Sequence, residues 1–376
     1  MRKKILFILY SLDVGGAEKQ TIALVNALNK DKFEISLVYL DAFDTLLPQI
    51  NAERLTVLKC LHRQKRLDWQ VIKKVRDLIR VHNYDIIACV ERYQMVYAFI
   101  GRLLSGYRPA IIQILHCTIP KPGIWTRLKN IFIYKRLMNR CEQTVFVCKN
   151  QMDYWANRFS IRSDKSTYIY NGIDTEWFTD ICSEQEQQHL KASLGFTPDN
   201  FIVGICATLR PEKKHTDFID AIKLARKQAP EISGLIIGDG PLNNEVRRYI
   251  QKNGMSSAIK MTGFQNDVRP CISICDCMAL TSHAVETFSM AALEAMAMNR
   301  PVIMTDLGGA REQIEHGESG FIYEKGDVTS LAGHLCGLAK NRNHLAMGAR
   351  ARERVRHCFT ARKMVEAYEK LFSSIR

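Results

Sequence analysis

Glu286 and Glu294 stand eight residues apart in HAVETFSMAALEAMAMNRPVIMTD (residues 283–306), a passage that is otherwise almost wholly apolar. Met290, Ala291, Ala292, Leu293, Ala295 and Met296 are strong helix formers with no polar face, so they predict a buried helix. The run 301–304 that follows reads as a buried parallel strand. A carboxylate in such surroundings is costly unless it is paired or hydrogen-bonded. Two kinds of partner fit: basic side chains, or the hydroxyl groups of a bound ligand.

Cations capable of meeting such a ligand occur in ATLRPEKKHTDFIDAI (207–222), where Arg210, Lys213 and Lys214 lie in a loop between an apolar run and a helix. At the carboxyl end of a parallel strand, guanidinium and ammonium groups match diphosphate oxygens and neutralise charge on a leaving group. As solvated surface charges they need no ligand. Gly15 and Gly16, in ILYSLDVGGAEKQ (8–20), open a helix directly after the first strand. The pair is either a tight turn or a place where main-chain N–H groups approach an anion. No D-x-D, G-x-G-x-x-G, G-x-x-x-x-G-K-[ST], H-E-x-x-H or G-x-S-x-G occurs, which removes the main support for a metal-bridged diphosphate site, a dinucleotide fingerprint, a P-loop, a zincin and an α/β-hydrolase. Phosphate charge would then be handled by cations and helix N-termini, without a metal.

These residues need a scaffold, and the hydrophobic rhythm supplies one. Candidate strands at 5–10, 34–40, 86–90, 110–115, 144–147 and 166–169, then 201–206, 234–237, 260–262, 276–280, 302–305 and 320–322, alternate with helical patterns. That alternation predicts right-handed βαβ units and parallel sheets, built twice. The polar stretch TDICSEQEQQHLKASLGFTPDN (179–200) reads as the interdomain linker, giving domains at 1–180 and 195–359.

Composition fits a soluble globular protein: of 376 residues, 47% are hydrophobic and 24% charged. No apolar run is long enough to cross a membrane, and MRKKILFILYSLDVGGAEK leads too soon into a glycine turn for a signal peptide, so the expected location is the cytoplasm. The twelve cysteines are scattered, as reduced thiols are. The cluster Cys271, Cys275 and Cys277 lacks zinc-site spacing and reads as ordinary thiols beside a buried strand. Net charge is +14, and residues 1–180 hold 28 Lys and Arg against 17 Asp and Glu. The first half therefore meets something anionic. HRQKRLDWQVIKKVRDLIR (62–80) and WTRLKNIFIYKRLMNR (125–140) carry much of this charge, and the second has the pattern of a basic amphipathic helix, suited either to an anionic membrane surface or to docking on the sheet.

Six stretches, VGGAEKQ (14–20), YNGIDTEWF (170–178), LRPEKKH (209–215), GDGPL (238–242), ETFSMAALEAM (286–296) with its E-x7-E spacing and DLGGARE (306–312), resemble in the same order the motifs of glycosyltransferase family 4. The resemblance covers nearly the whole chain. It implies an α/β GT-B fold, with two Rossmann-like domains whose parallel sheets face an interdomain cleft and a C-terminal helix, 360–376, crossing back to the first domain. It implies a retaining enzyme that takes a nucleotide-sugar donor, with UDP favoured, and uses no cofactor. Glu286 would hold donor-sugar hydroxyls and Glu294 the ribose hydroxyls. Arg210 and Lys213 would neutralise the departing diphosphate, and His116, in IIQILHCTI (111–119), would stand near the sugar. Gly15, Gly16, Gly238, Thr287, Phe288 and Ser289 would complete the donor site. The chain departs from the family at Thr208, where Arg is frequent, at Thr287 and Ser289, where glycines are common, and at Cys148, where Ser is frequent.

The acceptor implied is a glycan or lipid-linked hydroxyl at the inner membrane face, in bacterial surface-polysaccharide or lipopolysaccharide assembly. Nucleic acid is not expected, because aromatic residues are not interleaved with the basic ones. The rival readings are a sugar-nucleotide 2-epimerase on the same scaffold and a non-catalytic anion-binding protein.

Overall fold

Runs that are apolar at consecutive positions demand burial on both faces, which parallel sheets covered by helices provide. The computed structural model describes residues 2–118, 130–284 and 286–375, and among these thirteen strands form two parallel sheets. The first sheet contains β1 (Lys3–Leu9), β2 (Phe33–Tyr39), β3 (Leu55–Cys60), β4 (Ile86–Val90), β5 (Ala110–Leu115), β6 (Gln143–Phe146) and β7 (Ser166–Tyr168) in the order β3-β2-β1-β4-β5-β6-β7. The second contains β8 (Phe201–Cys206), β9 (Ile232–Ile237), β10 (Ile259–Gly263), β11 (Cys277–Leu280), β12 (Val302–Thr305) and β13 (Gly320–Tyr323) in the order β10-β9-β8-β11-β12-β13.

In each sheet the strand order reverses once. β1 pairs on one side with β2 (Ile8 opposite Val38) and on the other with β4 (Ile8 opposite Cys89). β8 pairs likewise with β9 and β11. The loops leaving the carboxyl ends of the two strands at such a reversal run in opposite directions and open a crevice for ligand.

The chain divides into two compact units, Met1–Gly172 with Ala361–Arg376, and Ile173–Thr360. Alternation along β1 shows how the first is layered. Ile5, Phe7 and Leu9 join a core with helices Gly16–Ala27 and Ala361–Ser374, whereas Leu6 and Ile8 face helices Trp69–His82, Arg92–Ser105 and Lys149–Phe159. The C-terminal helix presents Met364, Val365, Tyr368 and Phe372 to that core, and Phe372 packs edge-on against Phe7 and Phe33 at 6.0 and 6.2 Å. Lys3 Nζ also donates to the carbonyls of Phe372 and Ser373 (3.1 and 2.9 Å) at the helix end.

Three details differ from the sequence reading. Strand β3 was not expected, because its residues are half-exposed at a sheet edge and include Lys59, so it lacks the continuous apolar signature. The unit boundary falls at Gly172, and the polar stretch after it belongs to the second unit. Ile173 N donates to Phe359 O (2.8 Å), the Arg269 guanidinium lies 3.7 Å over the Trp177 ring, and helix Glu184–Ser193 begins in a reciprocal Ser183–Glu186 cap. Finally, the segment 125–140 is no single amphipathic helix where it can be followed. Residues 125–129 lie outside the described residues, Asn130–Tyr134 is one π-helical turn, and Lys135–Met138 is a short α-helical turn with Met138 buried. Among the described residues no helix is long and apolar enough to cross a membrane.

Replacing Phe372 by Ala leaves a cavity against Phe7 and Phe33 and is expected to destabilise the first unit by about 3–5 kcal/mol. Denaturant unfolding checks this, and an unchanged midpoint would show that the C-terminal helix does not seal that core.

Candidate active site

At the reversal of the second sheet, the loop after β8 carries Arg210 and Lys213 and the loop after β11 carries Glu286. The two loops are sewn together by main-chain and hydroxyl contacts. His283 N donates to Glu212 O (2.8 Å) and the Thr281 hydroxyl donates to Lys213 O (2.8 Å), while the hydroxyl of Thr305, at the end of β12, holds Ser282 O (2.7 Å). The His283 ring nitrogen Nε2 meets Asp217 Oδ2 at 2.5 Å, tying the same loop to helix His215–Ala225. Lys214, with φ +48°, makes the left-handed turn into that helix.

These contacts bring Lys213 and Glu286 together. Lys213 Nζ donates to Glu286 Oε2 (2.5 Å), and the Ser282 hydroxyl donates to the same oxygen (2.8 Å). The side chains are 26% and 12% exposed, so the pair is partly shielded and its attraction is stronger than at a bare surface. Of the two partners the sequence left open for Glu286, the basic one is in place. A cavity of about 20 Å³ remains beside the pair, lined also by Ala207, Thr281 and Ser289. That is room for about one water.

The segment 286–289 is held from behind. Gly308, at φ +59°, lets the chain pass directly under the carbonyls of Glu286 and Thr287, where a Cβ would collide with both, and Gly309 N donates to Thr287 O (2.7 Å). Gln313, fully buried, grips Ser289 at both main-chain groups, accepting from its N (2.9 Å) and donating to its O (2.8 Å). Ser289 then caps helix Met290–Ala297 by accepting from Ala292 N (3.3 Å). Thr287, Phe288 and Ser289 are 6%, 6% and 3% exposed, so their side chains are packed inward. Glu294 is half-buried in the helix. Arg210 is exposed and, among the described residues, forms no ion pair. Gly238 (φ +133°) brings its loop against Ala207, where a Cβ would strike the Ala207 carbonyl, and Leu209 N donates to Asp239 O (3.0 Å). The GDGPL motif thus fixes the loop that bears the cations.

In the first unit, Gly15 caps helix Gly16–Ala27 with ordinary extended φ and ψ. The Glu18 carboxylate folds back against Gly15 and bonds its own main-chain N–H, so the anion at this helix N-terminus is the chain's own. Burial raises its pKa. His116 follows β5, and its main-chain N, like that of Cys117, donates to Glu91 Oε1 (2.9 Å each). The imidazole Nδ1 is enclosed without a partner among the described residues, and burial lowers the ring's pKa to about 4, so it is neutral at pH 7. Glu91 itself sits at φ +71°, ψ 166°, a strained conformation for a residue with a side chain. Burial raises its pKa, with Glu18 a smaller contributor in the same direction.

The structure thus joins Lys213 to Glu286, with Thr287 and Ser289 in the adjoining chain. It places Gly15, Gly16 and His116 in the other unit. Ser282, Gln313 and Glu91 escaped the sequence reading. Gln313 is the residue after DLGGARE, and no local pattern marks it because its partner lies 24 residues away. The thiols of Cys271, Cys275 and Cys277 are buried, and burial raises the pKa of each. Among the described residues no group of three or more His, Cys, Asp or Glu is arranged to hold a metal ion.

His215, beneath the Lys213 loop, is 3% exposed with Nε2 unpartnered among the described residues. Burial first and the Lys213 charge second lower its pKa from 6.5 to about 4. A depressed histidine contributes stability above pH 6.5 that is lost as pH falls toward 4, up to about 3 kcal/mol. His215→Gln should therefore flatten the decline in melting temperature across that window, and parallel wild-type and variant curves would remove His215 from the balance.

Comparison with known proteins follows the same two units. Residues 14–177 match the family described as Glycosyltransferase Family 4, and residues 186–354 match Glycosyl transferases group 1. The putative glycosyltransferase EpsD of Bacillus subtilis is 33% identical over 269 residues, 70% of this chain and 69% of that one. The Escherichia coli UDP-Gal:alpha-D-GlcNAc-diphosphoundecaprenol alpha-1,3-galactosyltransferase is 20% identical over 96% of this chain and 94% of its own. The crystal structure of Anabaena Alr3699/HepE in complex with UDP superposes with a TM-score of 0.85 at 25% identity, covering 99% of this chain and 100% of that one. The same Anabaena protein is also known in complex with UDP-glucose, with a TM-score of 0.82. The two parallel sheets of the present chain have the GT-B architecture, and the chain belongs to the group 1, family 4 glycosyltransferases.

Proposed function

We propose that this enzyme moves a sugar from a nucleoside diphosphate, UDP by preference, to a hydroxyl of a glycan or lipid-linked acceptor, with retention of anomeric configuration and without a metal. The observation that carries this reading is the Lys213–Glu286 pair at the reversal of the second sheet. A cation and a carboxylate set side by side are matched to a substrate with both phosphates and hydroxyls. On binding, donor-sugar hydroxyls take the place of Lys213 on Glu286, and Lys213, with Arg210, turns to the diphosphate. Glu294 takes the ribose hydroxyls, and the main-chain N–H groups opening helix Met290–Ala297 add a positive dipole end.

In the transfer, the bond from the anomeric carbon to the diphosphate oxygen breaks and a bond to the acceptor oxygen forms on the same face. The acceptor proton passes to the departing diphosphate oxygen. Lys213 and Arg210 stabilise the growing charge there, while Glu286 orients the sugar and offsets positive charge at the anomeric carbon. His116, neutral at pH 7, suits a hydrogen bond to a sugar hydroxyl rather than ion pairing with phosphate. The UDP and UDP-glucose complexes of the Anabaena protein and the name of the Escherichia coli relative support a UDP-sugar and a lipid diphosphate acceptor in bacterial surface-polysaccharide assembly. The basic first unit, with Phe132 and Ile133 exposed beside Lys135 and Arg136, suits the inner face of an anionic membrane.

A melting-temperature panel of UDP-, GDP- and ADP-sugars should show its largest rise with a UDP-sugar. With that donor, Glu286→Ala and Lys213→Ala should each lower turnover about 100-fold, a chelator should leave turnover intact, and the product should keep the donor's anomeric configuration. Full activity in either variant would reject the assignment, and labelled sugar that stays on the nucleotide would point to epimerisation. Vesicles rich in anionic phospholipid should sediment the protein at low salt and release it as salt rises. Binding that ignores lipid charge would dismiss the membrane role.

A further inference from the structure

On the β2 and β3 side of the first sheet's reversal, the carboxyl ends of the strands surround a cavity of about 540 Å³. Its lining comes from four successive strand exits: Tyr10 after β1, Asp41 after β2, Arg63, Lys65 and Arg66 after β3, and Tyr93 after β4. Tyr134 adds a third ring.

The three cations are not equivalent. Arg63 is part of the wall: its Nε and Nη2 donate to the two oxygens of Asp41 (2.7 Å each), and Nη2 also donates to the Tyr10 hydroxyl (2.8 Å). Its guanidinium lies 4.7 and 5.1 Å from the ring centres of Tyr10 and Tyr93. Asp41 neutralises it, and the two tyrosine rings are held upright by it. Lys65 and Arg66 are exposed, and among the described residues neither forms an ion pair. Their main chain is nonetheless fixed. The Tyr97 hydroxyl donates to Arg66 O (3.1 Å) and accepts from Asp68 N (3.2 Å), while the Asp68 carboxylate accepts from the N–H groups of Gln64 and Gln70 (2.9 Å each). Two uncompensated positive charges are thus presented on a rigid loop at the rim of an aromatic cavity.

We infer that this cavity binds the phosphate of a phosphorylated sugar, with Lys65 and Arg66 on the phosphate oxygens and the tyrosine rings against the apolar face of the adjoining sugar. Three cations against one carboxylate leave the lining at +2, which balances a phosphate ester of about −1.5 to −2 at pH 7. A neutral glycan would leave Lys65 and Arg66 unmatched, and a duplex or single nucleic-acid strand would need the charge spread along a groove rather than confined to one loop. The inference rests on the proposed transfer, to which it adds the acceptor's anionic group and the residues that take it. A free sugar phosphate and a lipid-linked sugar diphosphate present the same chemistry here.

The test is calorimetric titration of the full chain and of a Lys65→Ala/Arg66→Ala double variant with two probes. One is N-acetylglucosamine 1-phosphate in solution, and the other is N-acetylglucosamine diphosphate on a short polyprenol in detergent micelles. At least one probe should bind the wild type, and the double variant should bind it roughly tenfold more weakly or worse, with UDP affinity unchanged. Tighter binding of the micellar probe assigns the phosphate to a lipid-linked acceptor, and tighter binding of the soluble probe to a free one. Neither probe binding the wild type, or equal affinities in both proteins, would overturn the inference. If UDP fails to bind while a phosphate probe binds and is lost in the variant, the phosphate site stands and the nucleotide-sugar reading falls.

Discussion

A carboxylate removed from water must find a positive charge or a set of donors, and much of the second unit is arranged around that demand at Glu286. The cation it meets, Lys213, comes from a loop 73 residues earlier in the chain, so the pair can form only if the exits of β8 and β11 are held at a set separation. The adjacency of those two strands provides the coarse placement. The contacts of Thr281, His283 and Thr305 provide the fine one. Gln313 and Gly308 then prevent the 286–289 segment from relaxing away from the cation. Apart from the His283–Asp217 contact, each of these supports is uncharged or main-chain, which leaves the Lys213–Glu286 pair as the element able to exchange partners without disturbing the frame.

The first unit meets the same kind of constraint differently. Glu91 is buried enough for its pKa to rise, and the Arg92 charge and two main-chain N–H groups work against that rise. To reach them it adopts a positive φ that a residue with a side chain seldom takes. That strain, of about 1–3 kcal/mol, is sustained because the same two hydrogen bonds define where β5 ends and where the neutral ring of His116 begins.

What could be read from sequence was whatever is encoded in neighbouring residues. Most of the strands announce themselves as short apolar runs because both faces of a central parallel strand are buried, and the loops holding Lys213 and Glu286 stand out because charge follows directly on such runs. β3 escaped notice because an edge strand is half solvated and its pattern blurs into that of a loop. Gln313, Ser282 and Glu91 escaped because their importance is a property of pairs: a glutamine is unremarked until its amide is found spanning the N–H and carbonyl of Ser289. The basic character of the first half was plain, but its resolution into a neutralised Arg63 and an open Lys65 and Arg66 depends on which side chain reaches Asp41.

Helix Ala361–Ser374 closes a sheet whose first strand is made long before the helix itself. Asn29 N donates to the Glu369 carboxylate across 340 residues of chain, and Phe7 and Phe33 wait for Phe372. On a ribosome, the second unit can therefore emerge and fold while one greasy face of the first is still bare. Residues of the first unit must then stay soluble through the synthesis of the second, and losing helix Ala361–Ser374 would leave a finished second unit and an unsealed first.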